Sequence, residues 1–268
     1  MLETMPAKSP PRLLSIAGSD SGGGAGIQAD LKAFAHCGAH GMTAITAITA
    51  QNTAAVTAVY PLPPEAIVEQ VRAVAEDIGV DAVKIGMLGN VETIGAVNRG
   101  LDLVPNVPVV LDPVMVAESG ARLLDEAAIE SLRGLLLPRT AVVTPNAAEA
   151  AVLADRDPED DPAELARAVH GLGPSAVVVT GGHREDATDV FFDGQRLVEI
   201  PGERHPDGAA HGSGCTHSSA LAARLAFGDD PLKAARAAKQ IASEAVRQGL
   251  RGLGSGAGPV DALGLGRS

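Results

Sequence analysis

The run VPVVLDPVM, residues 107–115, stays apolar from Val107 to Leu111 and then meets Asp112. It shows no apolar–polar alternation, so it reads as a strand buried on both faces, the pattern of a parallel sheet covered by helices. Similar runs recur on either side of it, as RLLSIAG (12–18), DAVKIGM (81–87), TAVVT (140–144) and SAVVVT (175–180). Helical periodicity fills the intervals. Residues 27–37 put Ile27, Leu31 and Phe34 on one face, and Pro64 opens a helix through Ile67, Val71 and Val74. Further helices are expected after Asn90 and over 126–136, 146–153 and 162–170, and two long ones close the chain. MTAITAITA (42–50) is rich in β-formers, and TAAVTAVYPL (53–62) is placed to pair with it. In DVFFDGQRLVEI (189–200), Asp193-Gly194 separates two apolar runs, which signals a hairpin. This βαβ alternation predicts one α/β domain over residues 1–268, with 1–11 as a disordered tail. Ligands of such a sheet sit beyond the carboxyl ends of its strands.

Composition narrows the function classes. The chain has 268 residues, 46% of them hydrophobic, with four Phe, one Tyr and no Trp, so Ala, Val, Leu and Ile must fill the core. A net charge of −12 argues against a nucleic-acid partner. No apolar run reaches the ~18 residues of a membrane span, and the first residues lack the apolar core of a secretory signal. A cytoplasmic protein is expected. Cys37 and Cys215 are far apart and form no CxxC, so both read as free thiols.

GSDSGGGAGIQAD (18–30) is a glycine-rich loop running into a helix, suited to the close approach of a ligand; a plain flexible turn is the bland alternative. Its Gly24-x-Gly26-x-x-Ala29 imitates a dinucleotide fingerprint, but no acidic residue lies between Asp30 and Glu65 to take a ribose. No Gly-Lys dipeptide occurs, so there is no Walker loop. Asp112 ends a buried strand. Asn146 and Glu149 open a helix, where they could be a capping box or could serve a site; Asp112 and Glu149 could converge on one Mg²⁺ through waters. Neither the His36, Cys37, His40 group nor the His205, His211, His217 group has the spacing of a zinc site. His183, just past a strand end, is a candidate loop ligand for a nucleotide. In HGSGCT (211–216), Gly212, Ser213 and Gly214 can turn backbone N–H groups toward one point at a helix start, an anion hole suited to a phosphoryl group. The bland alternative there is a glycine-rich cap with a buried cysteine.

Taken in order, AGSDSGGGAGIQADLK, TAITAQNT, VKIGML, VVLDPVM, TPNAAEA, GGH and HGSGCT resemble the hydroxymethylpyrimidine/phosphomethylpyrimidine kinases of thiamine biosynthesis, over about residues 13–248. That resemblance implies the ribokinase-like fold, a three-layer α/β/α sandwich. It implies MgATP-dependent phosphorylation of 4-amino-5-hydroxymethyl-2-methylpyrimidine, then of its monophosphate, by a homodimer. It implies that Gln51 recognises the pyrimidine, with Gly18, Asp30, Met87 and Val114 as further pocket residues. Asp112 and Glu149 become the metal-associated acids, and Gly212, Ser213, Gly214 and Cys215 the anion hole and catalytic position. Thr180, Gly182, Asp189 and Lys239 border the nucleotide. Three positions depart from the family pattern. Thr180 stands where Lys is usual, with Arg184 as a possible replacement; Ser213 stands for Thr; His217 stands where an apolar residue is common. The extra C-terminal domain fused to some relatives is not in the sequence. Sugar kinases of the superfamily carry Asp where Cys215 stands, so a thiolate is expected there, its pKa lowered by the helix start and its alkylation faster than that of Cys37. Pyridoxal kinases share the fold and the turn and are the alternative. A non-catalytic ligand sensor is a second one, invited by Thr180 alone.

Overall fold

The computed structural model describes residues 9–117, 119–182, 187–206 and 208–266. Its centre is an eight-stranded sheet. The chain enters it at β1 (Arg12–Ala17), crosses by helix α1 (Gly26–His36) and returns in parallel as β2 (His40–Ile45). A two-stranded antiparallel ribbon follows, β3 (Ala47–Gln51) with β4 (Val56–Pro61). The run MTAITAITA is thus two strands in different sheets, because the chain leaves the main sheet at Thr46. There the Thr46 N–H still donates to the Ala17 carbonyl, while its Oγ1 donates to that of Met87.

Beyond the ribbon come α2 (Pro64–Asp77), β5 (Ala82–Ile85), α3 (Val91–Leu101) and β6 (Val109–Leu111). Helix α4 (Glu126–Ser131) does not continue regularly to Leu136 as expected. It widens to a π turn over Leu132–Leu136 and ends in a 3₁₀ turn at Leu137–Arg139. Then follow β7 (Val142–Val143), α5 (Ala147–Ala154), α6 (Pro162–His170), β8 (Val177–Val179), the hairpin β9 (Asp189–Phe192) and β10 (Leu197–Ile200), α7 (Ser213–Ala226) and α8 (Pro231–Arg247).

The strand order is β10-β9-β8-β7-β6-β5-β1-β2. All neighbours from β2 to β8 are parallel, and only β9 runs against the rest, antiparallel to both β8 and β10. The uninterrupted Val/Ile runs are therefore buried because both faces are covered. One face packs residues such as Ile16, Val83 and Leu111 with α2, α3, α5 and α6; the other packs Leu13, Val110 and Phe191 with α1, α7 and α8. The architecture is the expected α/β/α sandwich.

Residues 1–8 of the expected tail, together with His183 and Arg184, lie outside the described residues. Pro11 is not tail: its carbonyl accepts from the His40 N–H at 2.8 Å. Among the described residues, no helix is long and apolar enough to cross a membrane.

Candidate active site

The carboxyl ends of β1, β5, β6, β7 and β8 open into one cleft of about 540 Å³. Gly18, Gln51, Met87 and Val114 line it on one side. Thr180, Gly182, Asp189 and Lys239 line it on the other, with the turn Gly212–Cys215 and the acids Asp112 and Glu149 between.

Helix α7 begins inside this cleft. Gly212 is its N-cap with φ 85°, and a Cβ there would overlap the Gly24 carbonyl oxygen, so both conformation and space demand glycine. The Ser213 N–H donates to the Ala210 carbonyl and that of Thr216 to Gly212. Among the described residues, the N–H groups of Gly214 and Cys215 have no acceptor. They face the cleft at the positive end of a 14-residue helix. Gly214 is exposed, and a Cβ on it would meet nothing closer than Asp112 Oδ2 at 3.8 Å. Protein packing therefore does not require that glycine; a ligand lying against the turn would.

Asp20, which the motif reading passed over, fastens the glycine-rich loop. Its carboxylate accepts from the N–H groups of Gly22, Gly24 and Ala25 and meets His211 Nε2 at 2.9 Å. Burial opposes its charge, but these partners win and hold the carboxyl below its usual range. The latch joins residues 20–25 to the residue just before the anion turn.

Asp30 is not a pocket residue. It is fully buried under the cleft floor, where it accepts from Ser15 Oγ at 2.6 Å, Ser219 Oγ at 2.8 Å and Lys84 Nζ at 2.8 Å. Lys84, unassigned from sequence, is its equally buried partner. Burial works against the Lys84 charge, but Asp30, Cys215 and Asp112 outweigh it and hold the ammonium above its usual range. A lysine inside the apolar strand AVKI was the available signal, since such a charge needs a partner.

The expected thiolate is overturned. Burial pushes the Cys215 thiol up to about 12, against the pull of Lys84 and with the help of the Asp30 and Asp112 charges. Burial is the larger cause, and the two carboxylates gathered beside the thiol add to it. Cys37 is raised as well, by burial.

Asn146 and Glu149 form a complete capping box: Asn146 Oδ1 accepts from the Glu149 N–H at 2.9 Å, and Glu149 Oε2 from the Asn146 N–H at 3.0 Å. The cap does not exhaust Glu149, whose Oε1 also accepts from the Met115 N–H at 3.3 Å. Burial, then the Asp112 charge, push the Glu149 carboxyl up to about 8. Asp112 is raised too, chiefly by burial, and accepts from Ser218 Oγ at 3.1 Å. Two adjacent carboxyls, both kept from ionising easily, are hard oxygen donors that a divalent cation would relieve. Among the described residues, no third acid, His or Cys completes a metal cluster.

Asp189 accepts from Lys239 Nζ at 2.6 Å and the Gly181 N–H at 2.8 Å. It ties α8 to the loop after β8 instead of reaching freely into the cleft. Thr180 takes part in a parallel bridge with Asn146 and lines the cleft without a cationic side chain.

The phosphomethylpyrimidine kinase family model matches residues 20–261. A hydroxymethylpyrimidine/phosphomethylpyrimidine kinase of Rhizobium meliloti is 50% identical over 253 residues, covering 92% of this chain and 95% of that protein. Among solved structures, a phosphomethylpyrimidine kinase from Clostridium difficile superimposes with a TM-score of 0.78 at 39% identity, covering 88% of this chain and 99% of that one. The pyridoxal kinase from Staphylococcus aureus in complex with ADP gives a TM-score of 0.87 at 33% identity, covering 95% and 94%.

Proposed function

The chain belongs to the phosphomethylpyrimidine kinase family, and from that premise we propose how its cleft works: it phosphorylates 4-amino-5-hydroxymethyl-2-methylpyrimidine and then the resulting monophosphate, with ATP as donor, for thiamine biosynthesis. One observation carries the assignment of roles. The unpaired N–H groups of Gly214 and Cys215 stand midway between the two ends of one cleft, where a phosphoryl group in transit would lie.

The pyrimidine occupies the end formed by Gly18, Gln51, Met87 and Val114. The Gln51 backbone is tied to Ser21, whose Oγ donates to its carbonyl and accepts from its N–H, both at 2.8 Å. Among the described residues its side-chain amide has only a long 3.4 Å contact with Thr49 Oγ1, which leaves it available to the donor–acceptor edge of an aminopyrimidine. ATP takes the end formed by Thr180, Gly182, Asp189 and Lys239. Asp112 and Glu149 fit Mg²⁺ as a pair of acids, with phosphate oxygens and waters completing the shell. Bound there, the ion supplies charge neutralisation for the phosphate oxygens. The Gly214 and Cys215 N–H groups stabilise the transferring phosphoryl group, and the helix start adds its dipole. Cys215, a thiol at rest, orients the attacking hydroxyl by hydrogen bonding. Little base is needed, because positioning and charge supply most of the acceleration.

The enzyme works as a cytoplasmic homodimer. Ile48 and Tyr60 face each other across the β3–β4 ribbon and are 42% and 61% exposed, an apolar pair that a second copy would cover. The overall resemblance to pyridoxal kinases supports a second reading, phosphorylation of B6 vitamers by the same cleft. ADP release and product mass, measured with hydroxymethylpyrimidine, its monophosphate and pyridoxal, separate the two. Turnover of pyridoxal alone overturns the pyrimidine assignment.

A further inference from the structure

The ribbon that carries Gln51 is held at its base and at its tip by different parts of the chain. Near the base, Ser19 pairs with Ala47 and Thr49. At the tip the register shifts between Ala50 and Gln51, and Asn52 Oδ1 closes the turn by accepting from the N–H groups of Ala54 and Ala55. A two-stranded ribbon is marginal by itself, and an irregular register re-aims the side chain beside it. The direction of Gln51 therefore depends on what grips this tip. Ser21 grips one side of it, through the two bonds to the Gln51 backbone.

The other side is gripped from the far end of the sequence. After α8 the chain runs through GLGSGAGP (252–259) and lays its backbone against Thr53. The Gly256 N–H donates to Thr53 Oγ1 at 3.2 Å. A Cβ on Gly256 would lie 1.9 Å from the Thr53 carbonyl oxygen, and one on Gly254, whose φ is 81°, would lie 2.1 Å from Thr53 Oγ1. The same segment is pinned to His211. The Gly258 carbonyl accepts from the His211 N–H at 3.3 Å, and the His211 carbonyl from the Val260 N–H at 3.0 Å. The Leu250 N–H, donating to the Pro259 carbonyl at 2.9 Å, closes the segment into a loop. His211 directly precedes the anion turn, and its ring is latched to Asp20. One strap thus touches both the tip that carries Gln51 and the residue before Gly212. Gln51 and His211 line the main cleft, and with Thr53 and Gly256 they also line a second cavity of about 270 Å³.

We propose that residues 250–260 are a positioning strap for the alcohol substrate, with Thr53 and Gly256 as the positioning residues that hold Gln51 in register with the anion turn. This rests on Gln51 recognising the pyrimidine. A recognising amide works only when it is held to within about 0.5 Å, and a misplacement of about 1 Å can cost a hundredfold in rate. The strap grips the alcohol end of the cleft, so its displacement reaches the pyrimidine before it reaches ATP.

Steady-state kinetics with hydroxymethylpyrimidine and ATP, run well below each variant's unfolding temperature, test this. Gly256→Ala forces strap and tip apart and is expected to raise the KM for the pyrimidine about tenfold, with that for ATP within twofold of wild type. Thr53→Val, which keeps the side chain's shape but removes the acceptor, is expected to raise the pyrimidine KM by about three- to fivefold, and Thr53→Ser to restore it. Because the strap acts through Gln51, Gly256→Ala added to Gln51→Ala is expected to change the pyrimidine KM by less than about twofold further. A pyrimidine KM within twofold of wild type in both Gly256→Ala and Thr53→Val overturns the strap. So does an equal rise in both KM values, or a full additional tenfold effect in the double variant. Gln51→Ala alone with an unchanged pyrimidine KM overturns the recognition by Gln51 on which the strap rests, and the strap with it.

Discussion

Lys84 Nζ lies 2.8 Å from Asp30 Oδ1, and both side chains are wholly withdrawn from water. The pair pins β5 to α1 beneath the cleft, and Ser15 and Ser219 also donate to the carboxylate. Lys84→Met strands a buried carboxylate. It should lower the free energy of unfolding by about 3–5 kcal/mol, whereas Lys84→Met with Asp30→Leu should recover most of that loss. Urea unfolding of the three proteins tests this. A single variant as stable as wild type would remove the pair from the stability of the floor.

Glu149 makes stability depend on pH and on metal together. Its folded-state pKa of about 8 lies above the ordinary glutamate value of 4.5, so the folded protein holds the proton more tightly than the unfolded chain. That contribution is fully present below about pH 4.5 and is lost as pH rises through about 8. Metal-free protein should therefore lose stability across that window, and saturating Mg²⁺ should flatten the slope by favouring the carboxylate. Glu149→Gln keeps the capping box but should reduce the slope to what Asp112 leaves and sharply raise the Mg²⁺ concentration needed for turnover. An unchanged rate-against-Mg²⁺ curve removes Glu149 from the metal.

The Val-rich runs exposed the sheet because residues such as Val83, Val110 and Val178 must be apolar on both sides. Cap chemistry exposed α5 through Asn146 and Glu149. What stayed hidden depends on elements meeting in space. Asp30 stands one residue before Leu31 and three after Ile27, on the buried side of α1, so its place in a glycine-rich motif suggested substrate where geometry gives Lys84. The thiol's direction was illegible for the same reason: the fold buries Cys215, and two carboxylates reach it from positions 30 and 112. The break at Thr46 was masked because β2 and β3 are both rich in β-formers and are joined by a single threonine, itself a β-former.

Gln51 should decide the alcohol and leave the nucleotide alone. Gln51→Ala is expected to cost about 1–3 kcal/mol of binding, through substrate polar groups left unpaired in the cleft. That is a rise of roughly 5- to 150-fold in the KM for hydroxymethylpyrimidine, by the usual relation of free energy to affinity. The KM for ATP should move less than twofold. Equal changes in both would return Gln51 to a structural role in the β3–β4 ribbon.

Cys215 and Gly214 divide the anion turn between a side chain and a backbone. With its pKa pushed up to about 12, the thiol is protonated throughout the working range, so it cannot take the substrate's proton as a resting thiolate. Alkylation of Cys215 by iodoacetamide should therefore be slow at pH 8 and still accelerate above pH 9, and the pH–rate profile should carry no cysteine ionisation between pH 6 and pH 9. Cys215→Ser keeps a hydroxyl to orient the alcohol and should retain much of kcat, while Cys215→Ala should lose about tenfold, the scale of one hydrogen bond. Gly214→Val should be worse, by about 100-fold or more, because its side chain fills the space where the N–H groups meet the phosphoryl group. No protein atom blocks a Cβ there, so folding should survive, and unfolding curves will show whether it does. Fast, substrate-protected labelling of Cys215 at pH 7 would restore the thiolate. A Gly214→Val variant with wild-type turnover would move the phosphoryl group away from the start of α7.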